Sequence, residues 1–254
     1  MLPLERKKWL EEQVTLNKKV DIEEISKMLN VSAMTIRRDL TELEKKGKVI
    51  RTHGGAISVE SLTEEVPFYS KKSKNSTEKK AVALRAFSLI KENSTIILDS
   101  GTTTLELAKL LKNREDLTIV TNDISIANEL LDSSNKVIIT GGELQQGVGA
   151  LYGSATQQML QIIHADIFFL GAHAIDLDRG VTAPTFEKSL IKQLMIKASE
   201  VTWILADHSK FNVKAFSNVC DLTTVEGIIT DTKVEPSVVK EYSTKTQILF
   251  GGQD

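Results

Sequence analysis

Cysteine is almost absent from this 254-residue chain, where Cys220 stands alone. An internal disulfide is therefore excluded, and so is a cysteine-held zinc cluster. Long apolar runs are missing too, and none approaches the roughly 18 residues that a membrane-spanning helix needs. The opening stretch, "MLPLERKKWLEE", is charged within its first turns and lacks the apolar core of a secretory signal. Histidine numbers four, and His164 and His208 are isolated, with no metal-ligand spacing around them. These absences lead us to expect a cytoplasmic chain with no membrane partner, no metal and no cofactor. What remains is ordinary globular usage, 41% hydrophobic and 26% charged, in a length that suits two domains or one large one.

The net charge of −2 conceals a gradient. Residues 1–58 carry 12 Lys and Arg against 9 Asp and Glu, a net +3, whereas residues 59–254 carry 20 against 25, a net −5. A basic head on an acidic body suggests that the head alone meets a polyanion.

Three helical signals follow one another in the head. The first runs from about Leu4 to Leu16, with Trp9, Leu10 and Val14 apolar and Pro3 suited to a helix start. The second opens on Asp21 and Glu24, spaced as in a capping box, and aligns Ile22, Ile25, Met28 and Leu29 as a buried face. Asn30 and Val31 form a tight turn, and Ser32 is placed to cap a third helix. On that helix Ile36, Leu40 and Leu43 form the buried stripe. At about 100° per residue the opposite face carries Met34, Arg38 and Thr41, flanked by Thr35 and Arg37.

Two arginines on a helix face are by themselves compatible with a solvated surface. The context points elsewhere. Two short helices across a tight turn, the second rich in Ser, Thr and Arg, form the helix-turn-helix pattern, whose second helix enters the major groove. There arginine bonds guanine bidentately, and shorter side chains reach base edges or phosphates. "KVIRTHGGAISV" reads as a hairpin with Gly54 and Gly55 at its tip or exit. Such a wing lays Arg51 and His53 along a phosphate backbone, with Lys45, Lys46 and Lys48 beside it.

The run "VSAMTIRRDLTELEKKGKVIRTHGGA", residues 31–56, closely resembles the recognition helix and wing of the DeoR family of bacterial transcriptional regulators. It meets V-S-x-x-T-I-R-R-D-L, then L-E-x-x-G, then R-x-H-G-G-A at every position. The resemblance implies sequence-specific binding of double-stranded operator DNA through Ser32, Thr35, Arg37 and Arg38. Arg51, His53 and Gly54 of the wing would assist. Helix-turn-helix readers commonly use two-fold symmetry, so a homodimer or homotetramer is expected.

Residues 59–76 are polar, include Pro67 and hold no sustained period. They read as a linker between a winged helix-turn-helix domain at 1–58 and an α/β domain at 77–254. Lys71, Lys72 and Lys74 read as solvated, with the alternative that one folds back over an anionic ligand.

Beyond Thr77 helices alternate with short apolar runs. A helix over about Glu78 to Lys91 places Ala81, Val82, Leu84, Phe87 and Ile90 on its buried side. "STIILDSGTTT", "LTIVTN", "KVIITGG", "DIFFLGA", "VTWILAD" and "VEGIIT" are strand-like, with helices between several of them. Strands apolar throughout predict a mostly parallel sheet covered on both faces. They stop at Asp99-Ser100-Gly101-Thr102-Thr103-Thr104, Thr121-Asn122, Gly141-Gly142, Gly171-Ala172 and Asp207. In open α/β sheets the ligand crevice lies at the carboxyl ends of the strands, so these tails should share one pocket. "DSGTTT" before a helix is either a cap or a phosphate cradle, in which Gly101 admits the backbone and the threonine hydroxyls donate.

This half resembles the DeoR-family sensor domain through "EKKAVA", "DSGTTT", "VTND", "TGGEL", "FFLGA", "KQLMI", "ADHSKF" and "IITD", in that order. That domain is similar to ribose-5-phosphate isomerase, with a shared phosphate turn and D-x-S-K segment. The resemblance implies that Ser100 to Thr104 hold a phosphate, that Asp207 and Lys210 contact the sugar or its charge, and that Lys79 closes the site. The expected architecture is an N-terminal all-α winged helix-turn-helix followed by an isomerase- or CoA-transferase-like α/β domain.

The expected function is a DNA-binding regulator of a sugar-metabolism operon, repression being the family's usual mode, released from its operator by a phosphorylated sugar. The rival is a sugar-phosphate isomerase with a DNA-binding appendage. Related isomerases carry their base in a G-A-D-E stretch, and the same place here reads Gly171-Ala172-His173-Ala174. Ala174 cannot take a proton, and His173 departs from the Asp that many sensor domains hold there. A non-enzyme is therefore expected.

Overall fold

A computed structural model describes residues 2–46, 48–52, 54–58, 62–63 and 68–252. The chain divides into two compact units, Met1–Glu64 with Asn212–Ala215, and Glu65–Phe211 with Phe216–Asp254.

The first unit runs α1 (Pro3–Asn17), β1 (Lys19–Asp21), α2 (Ile22–Leu29), α3 (Ala33–Lys45), β2 (Val49–Thr52) and β3 (Gly55–Ser58). Asp21 caps α2, its Oδ1 accepting from the N–H groups of Glu23 at 2.8 Å and Glu24 at 3.2 Å. Asn30 ends α2 in the left-handed region at φ 51°, and Ser32 caps α3. Leu10, Val14, Ile22, Ile25, Ile36, Leu40 and Leu43 bury against one another as the core. Met28 does not join them and is 68% exposed. Six residues after Ile22 it has turned through about 240°, away from the face that Ile22 and Ile25 share.

The strands pair antiparallel in the order β1-β3-β2. β1 is too short at three residues for alternation to reveal it in the sequence. Gly55 is required where it stands, because a Cβ there would lie 1.8 Å from the Val20 carbonyl oxygen on β1. Inside this small core sits an ion pair that periodicity does not announce. Arg6 Nε donates to Asp39 Oδ2 at 2.5 Å, with both residues buried.

In the second unit α4 (Phe68–Ser73) lies within the stretch read as a linker, and α5 (Ser76–Phe87) follows at once. Then come β4 (Thr95–Leu98), α6 (Thr102–Leu111), β5 (Thr118–Thr121), α7 (Ile124–Glu129), β6 (Lys136–Ile139), β7 (Glu143–Leu144), β8 (Leu151–Tyr152) and α8 (Ser154–Ile162). The chain continues through β9 (Ala165–Gly171), β10 (Ala174–Asp176), β11 (Gly180–Ala183), α9 (Phe186–Lys197) and β12 (Ser199–Leu205). It closes with β13 (Ser217–Cys220), β14 (Gly227–Thr230), α10 (Pro236–Tyr242) and β15 (Gln247–Phe250).

Seven strands form one sheet in the order β15-β14-β12-β9-β4-β5-β6, and every pairing is parallel. Both faces are buried along the central strands β4, β5, β9, β12 and β14, which is why these read as continuous apolar runs, whereas the edge strands β6 and β15 are partly exposed. Ile97, Phe168, Ile204 and Ile228 face one cluster with Ile191, Met195 and Tyr242; Ile96, Leu98, Phe169 and Leu205 face the other with Val82, Leu107 and Ile126. On α5 the buried stripe is Lys79, Val82, Ala83 and Ala86. Leu84, expected inside, lies about 200° from Val82 and is 57% exposed. Among the described residues no helix is long and apolar enough to cross a membrane.

The Arg6–Asp39 pair yields a test of stability in the head. Asp39→Ala leaves a buried guanidinium without its partner and should cost about 3–5 kcal/mol. Arg37→Ala, on the exposed face of the same helix, should change stability by less than about 0.5 kcal/mol. Urea unfolding followed through Trp9 fluorescence checks both, and similar small losses would show that the pair contributes nothing.

Candidate functional site

On α3 the Ser32 hydroxyl accepts from the Thr35 N–H at 3.2 Å and lies 2.9 Å from the Thr35 hydroxyl. Arg37, Arg38 and Met34 project from the surface, Met34 at 66% exposure. Thr41 Oγ1 donates to the Arg37 carbonyl at 2.7 Å and accepts from Arg51 Nη1 at 2.9 Å. The Arg51 N–H in turn donates to Glu44 Oε1 at 3.0 Å. Arg51, read from the sequence as a wing residue lying along a phosphate backbone, is folded against α3 and ties β2 to it. Gly54 lies in the turn before β3, and His53 lies outside the described residues.

In the second unit the chain winds outward from β4 through β5 to β6, then returns to place β9 on the other side of β4. The strand order therefore reverses between β4 and β9, and a crevice opens at their carboxyl ends. Asp99, just past β4, bridges the two strands, its Oδ2 accepting from the Gly171 N–H at 2.9 Å. The Lys192 ammonium on α9 donates to the same carboxylate and, at 2.8 Å, to the Gly171 carbonyl. The pair is almost fully buried.

Two cavities flank this pair and share Ser100, Lys188 and Lys192 in their walls. One, of about 160 Å³, is lined by Ser100, Gly101, Thr102, Thr103, Asp207 and six lysines, Lys71, Lys74, Lys79, Lys188, Lys192 and Lys210. His173, Asn75 and Ser209 complete much of its rim. The N-terminus of α6 opens here with no side chain capping it, so its first N–H groups have no partner within the helix. Burial pushes the Lys79 and Lys210 amines below the usual lysine range, against the pull of Asp207. Neighbouring Lys71, Lys74 and Lys79 depress Lys210 further.

Asp207 turns inward to brace the wall. Its Oδ1 accepts from Asn75 Nδ2 at 2.9 Å, from the Ser209 N–H at 3.0 Å and from the Ser209 hydroxyl at 2.5 Å. Burial works to raise its pKa, but the Ser209 hydroxyl, Lys210 and Asn75 together hold it below the usual carboxylate range.

The other cavity, of about 180 Å³, is lined by Asp99, Ser100, Asn122, Gln145, Tyr152, Thr185 and Glu187 among others. Four residues expected at the site line neither cavity. Thr104 Oγ1 is spent on the Gly101 carbonyl at 2.9 Å, and Thr121 Oγ1 on the Leu98 carbonyl at 2.8 Å. Gly141 accepts from Thr156 Oγ1 at 2.6 Å. Gly142 answers a backbone need, with φ +110° and the Tyr152 carbonyl 2.3 Å from where its Cβ would sit. Conversely, Lys188 and Lys192 were not expected. Their i, i+4 spacing on an apolar helix was the available signal, since it puts two ammonium groups on one face.

A helix-turn-helix with exposed arginines and a parallel α/β unit with a lysine-lined crevice at its switch point together have the make-up of a DNA-binding transcriptional regulator. Residues 6–62 match the DeoR-like helix-turn-helix domain and residues 74–232 the DeoR C terminal sensor domain. The chain is 35% identical over 252 residues to the HTH-type transcriptional regulator GlpR of Haloferax volcanii, covering 99% of each chain. It is 36% identical over 230 residues to a putative aga operon transcriptional repressor of Escherichia coli O157:H7, covering 89% of this chain and 86% of that one. Among solved structures, ribose 5-phosphate isomerase A of Methanocaldococcus jannaschii aligns with a TM-score of 0.41 at 17% identity, over 54% of this chain and 55% of that one. The chain belongs to the DeoR family of transcriptional regulators.

The buried pair at the crevice floor generates a double-mutant prediction. Lys192→Met strands Asp99 and should cost about 3–5 kcal/mol. Adding Asp99→Asn removes the orphaned charge and should recover at least about half of that loss. Thermal unfolding of the two variants decides the point, and strictly additive losses would show that the two groups do not interact.

Proposed function

We propose that the protein is a repressor that binds double-stranded operator DNA through the exposed face of α3 and leaves it when a phosphorylated sugar enters the crevice. One observation carries the effector half: an uncapped helix N-terminus opens on a chamber of lysines. N–H groups and ammonium groups directed at one space favour a small dianion. On this reading Ser100 to Thr103 supply backbone and hydroxyl donors, while Lys79 and Lys210 supply charge.

The DNA half draws on the exposure of Arg37 and Arg38, with Ser32, Met34, Thr35 and Thr41 on or beside the same face. Arg51 acts by holding the wing to α3 as well as by its charge. The relative described as a putative aga operon repressor favours repression over activation. Ala174 is a fully buried methyl group in β10. That favours sensing over isomerisation, which needs a base at the sugar. A cytoplasmic homodimer or homotetramer, with a sugar phosphate as its ligand and no cofactor, completes the reading.

Arg37→Ala with Arg38→Ala should abolish specific retardation of the protein's own upstream DNA while the fold stays intact. Wild-type affinity should fall by roughly 10³-fold between 50 and 200 mM salt, as phosphate contacts give up their counterion release. An unchanged gel-shift affinity in the folded double variant would end the assignment of α3.

Thr103→Ala and Lys210→Ala should still bind operator but require at least tenfold more effector for release, and unphosphorylated sugar should be inert in both. A bound dianion favours the charged amines of Lys79 and Lys210. Affinity for inorganic phosphate should therefore be greatest above the second ionisation of phosphate and below the depressed unliganded pKa values of these amines, and it should fall as pH rises through them, before an ordinary lysine would titrate. Normal release by both variants, or equal potency of the free sugar, would move the effector site elsewhere.

A further inference from the structure

We propose that the second cavity is the subsite that reads the sugar, taking the neutral, hydroxylated end of a pentose or hexose monophosphate whose phosphate occupies the lysine chamber. The proposal rests on the phosphate reading above and specifies its ligand.

The two cavities are neighbours through Ser100, Lys188 and Lys192, which line both. Their charge differs sharply. The lysine chamber is lined by six lysines and one carboxylate, Asp207; of the six, Lys192 is paired with Asp99 and Lys79 donates to the Lys71 and Lys74 carbonyls. In the second cavity Asp99 and Glu187 balance Lys188 and Lys192. A ligand that spans both is therefore anionic at one end and neutral at the other. A second phosphate would be driven against Asp99 and Glu187, so a bisphosphate fits poorly.

A buried acceptor gives the neutral end its chemistry. Asn122 is 4% exposed and lines the second cavity. Its Nδ2 donates to the Leu151 carbonyl at 3.1 Å, which fixes the orientation of the amide, because the flipped form would set two oxygens against each other. Its Oδ1 is then left buried with no partner among the described residues. A buried acceptor without a donor is costly, and a sugar hydroxyl supplies one. Gln145 and Glu187 add hydrogen-bonding groups, and Leu151 and Ile191 add apolar wall for the C–H face of a sugar. A three-carbon phosphate held in the lysine chamber would leave Asn122 unfilled. A site built to bond a hydroxyl discriminates strongly against ligands that lack it.

The test is calorimetric titration of the full chain with inorganic phosphate, glycerol 3-phosphate, a panel of pentose 5- and hexose 6-phosphates, and fructose 1,6-bisphosphate. The best panel member should bind at least tenfold tighter than glycerol 3-phosphate and tighter than the bisphosphate. Asn122 is buried and its replacement risks the fold, so the half-buried Gln145 and the exposed Glu187 carry the mutational arm. Gln145→Ala and Glu187→Gln should each lower the affinity of that best sugar phosphate, relative to inorganic phosphate, by at least tenfold. An unchanged ratio in both variants overturns the proposal, as does glycerol 3-phosphate or the bisphosphate binding as tightly as the best monophosphate. If inorganic phosphate and every sugar phosphate fail to bind, the phosphate reading itself falls and takes this one with it.

Discussion

The architecture of the larger unit turns on the contact between Lys192, Asp99 and Gly171, which holds β4 and β9 together where their connections diverge. At a switch point the chain leaves a gap that no crossover fills, and the strand ends on either side need another tie. Asp99 accepts from the Gly171 N–H while Lys192 bonds both the carboxylate and the Gly171 carbonyl. Neither charge is solvated, so each depends on the other, and the geometry has little freedom to relax. The Ser100–Thr103 turn begins directly beyond it, and both chambers of the crevice have Lys192 in their walls.

The same constraint explains how an acidic chain keeps a cationic cavity. The protein carries a net −2, yet lysines from α4, α5, α9 and the segment after β12 meet at the α6 N-terminus. Only Lys188 and Lys192 share an element, so the field at that point is a product of the fold and of no single segment. Asp207 tempers it from behind, held in place by Asn75 and Ser209. A site of this kind can shift a DNA-binding equilibrium only if a ligand favours one arrangement of the molecule over another. Burial is the main reason that the Lys79 and Lys210 amines lie below the usual lysine range.

Much of this was legible before any coordinates. Capping residues and 3.6-residue periodicity fixed α2 and α3, since Asp21 and Ser32 act on N–H groups two or three residues away. Uninterrupted apolar runs identified six of the seven parallel strands, because burial on both faces leaves no alternation to disguise the central ones. The polar tails of those strands pointed to the crevice. Where one residue decided between neighbouring helix faces, as at Met28 and Leu84, approximate periodicity was too coarse. The Arg6–Asp39 pair also escaped notice, because charged residues 33 positions apart carry no mutual signal along the chain.

The strand-end turns show where the division lies. The sequence by itself determined the helix-turn-helix, the α/β alternation and the DeoR-type motifs, all of which are properties of contiguous residues. It could not say that Thr104, Thr121, Gly141 and Gly142 serve the backbone while Thr102 and Thr103 line a cavity, since adjacent threonines look alike until the helix turns them to different sides. Nor could it bring Lys192 to Asp99, or Glu187 and Gln145 to Asn122. Those meetings were decided only by the tertiary structure, because the order of strands in the sheet, and not distance along the chain, determines which side chains share a space.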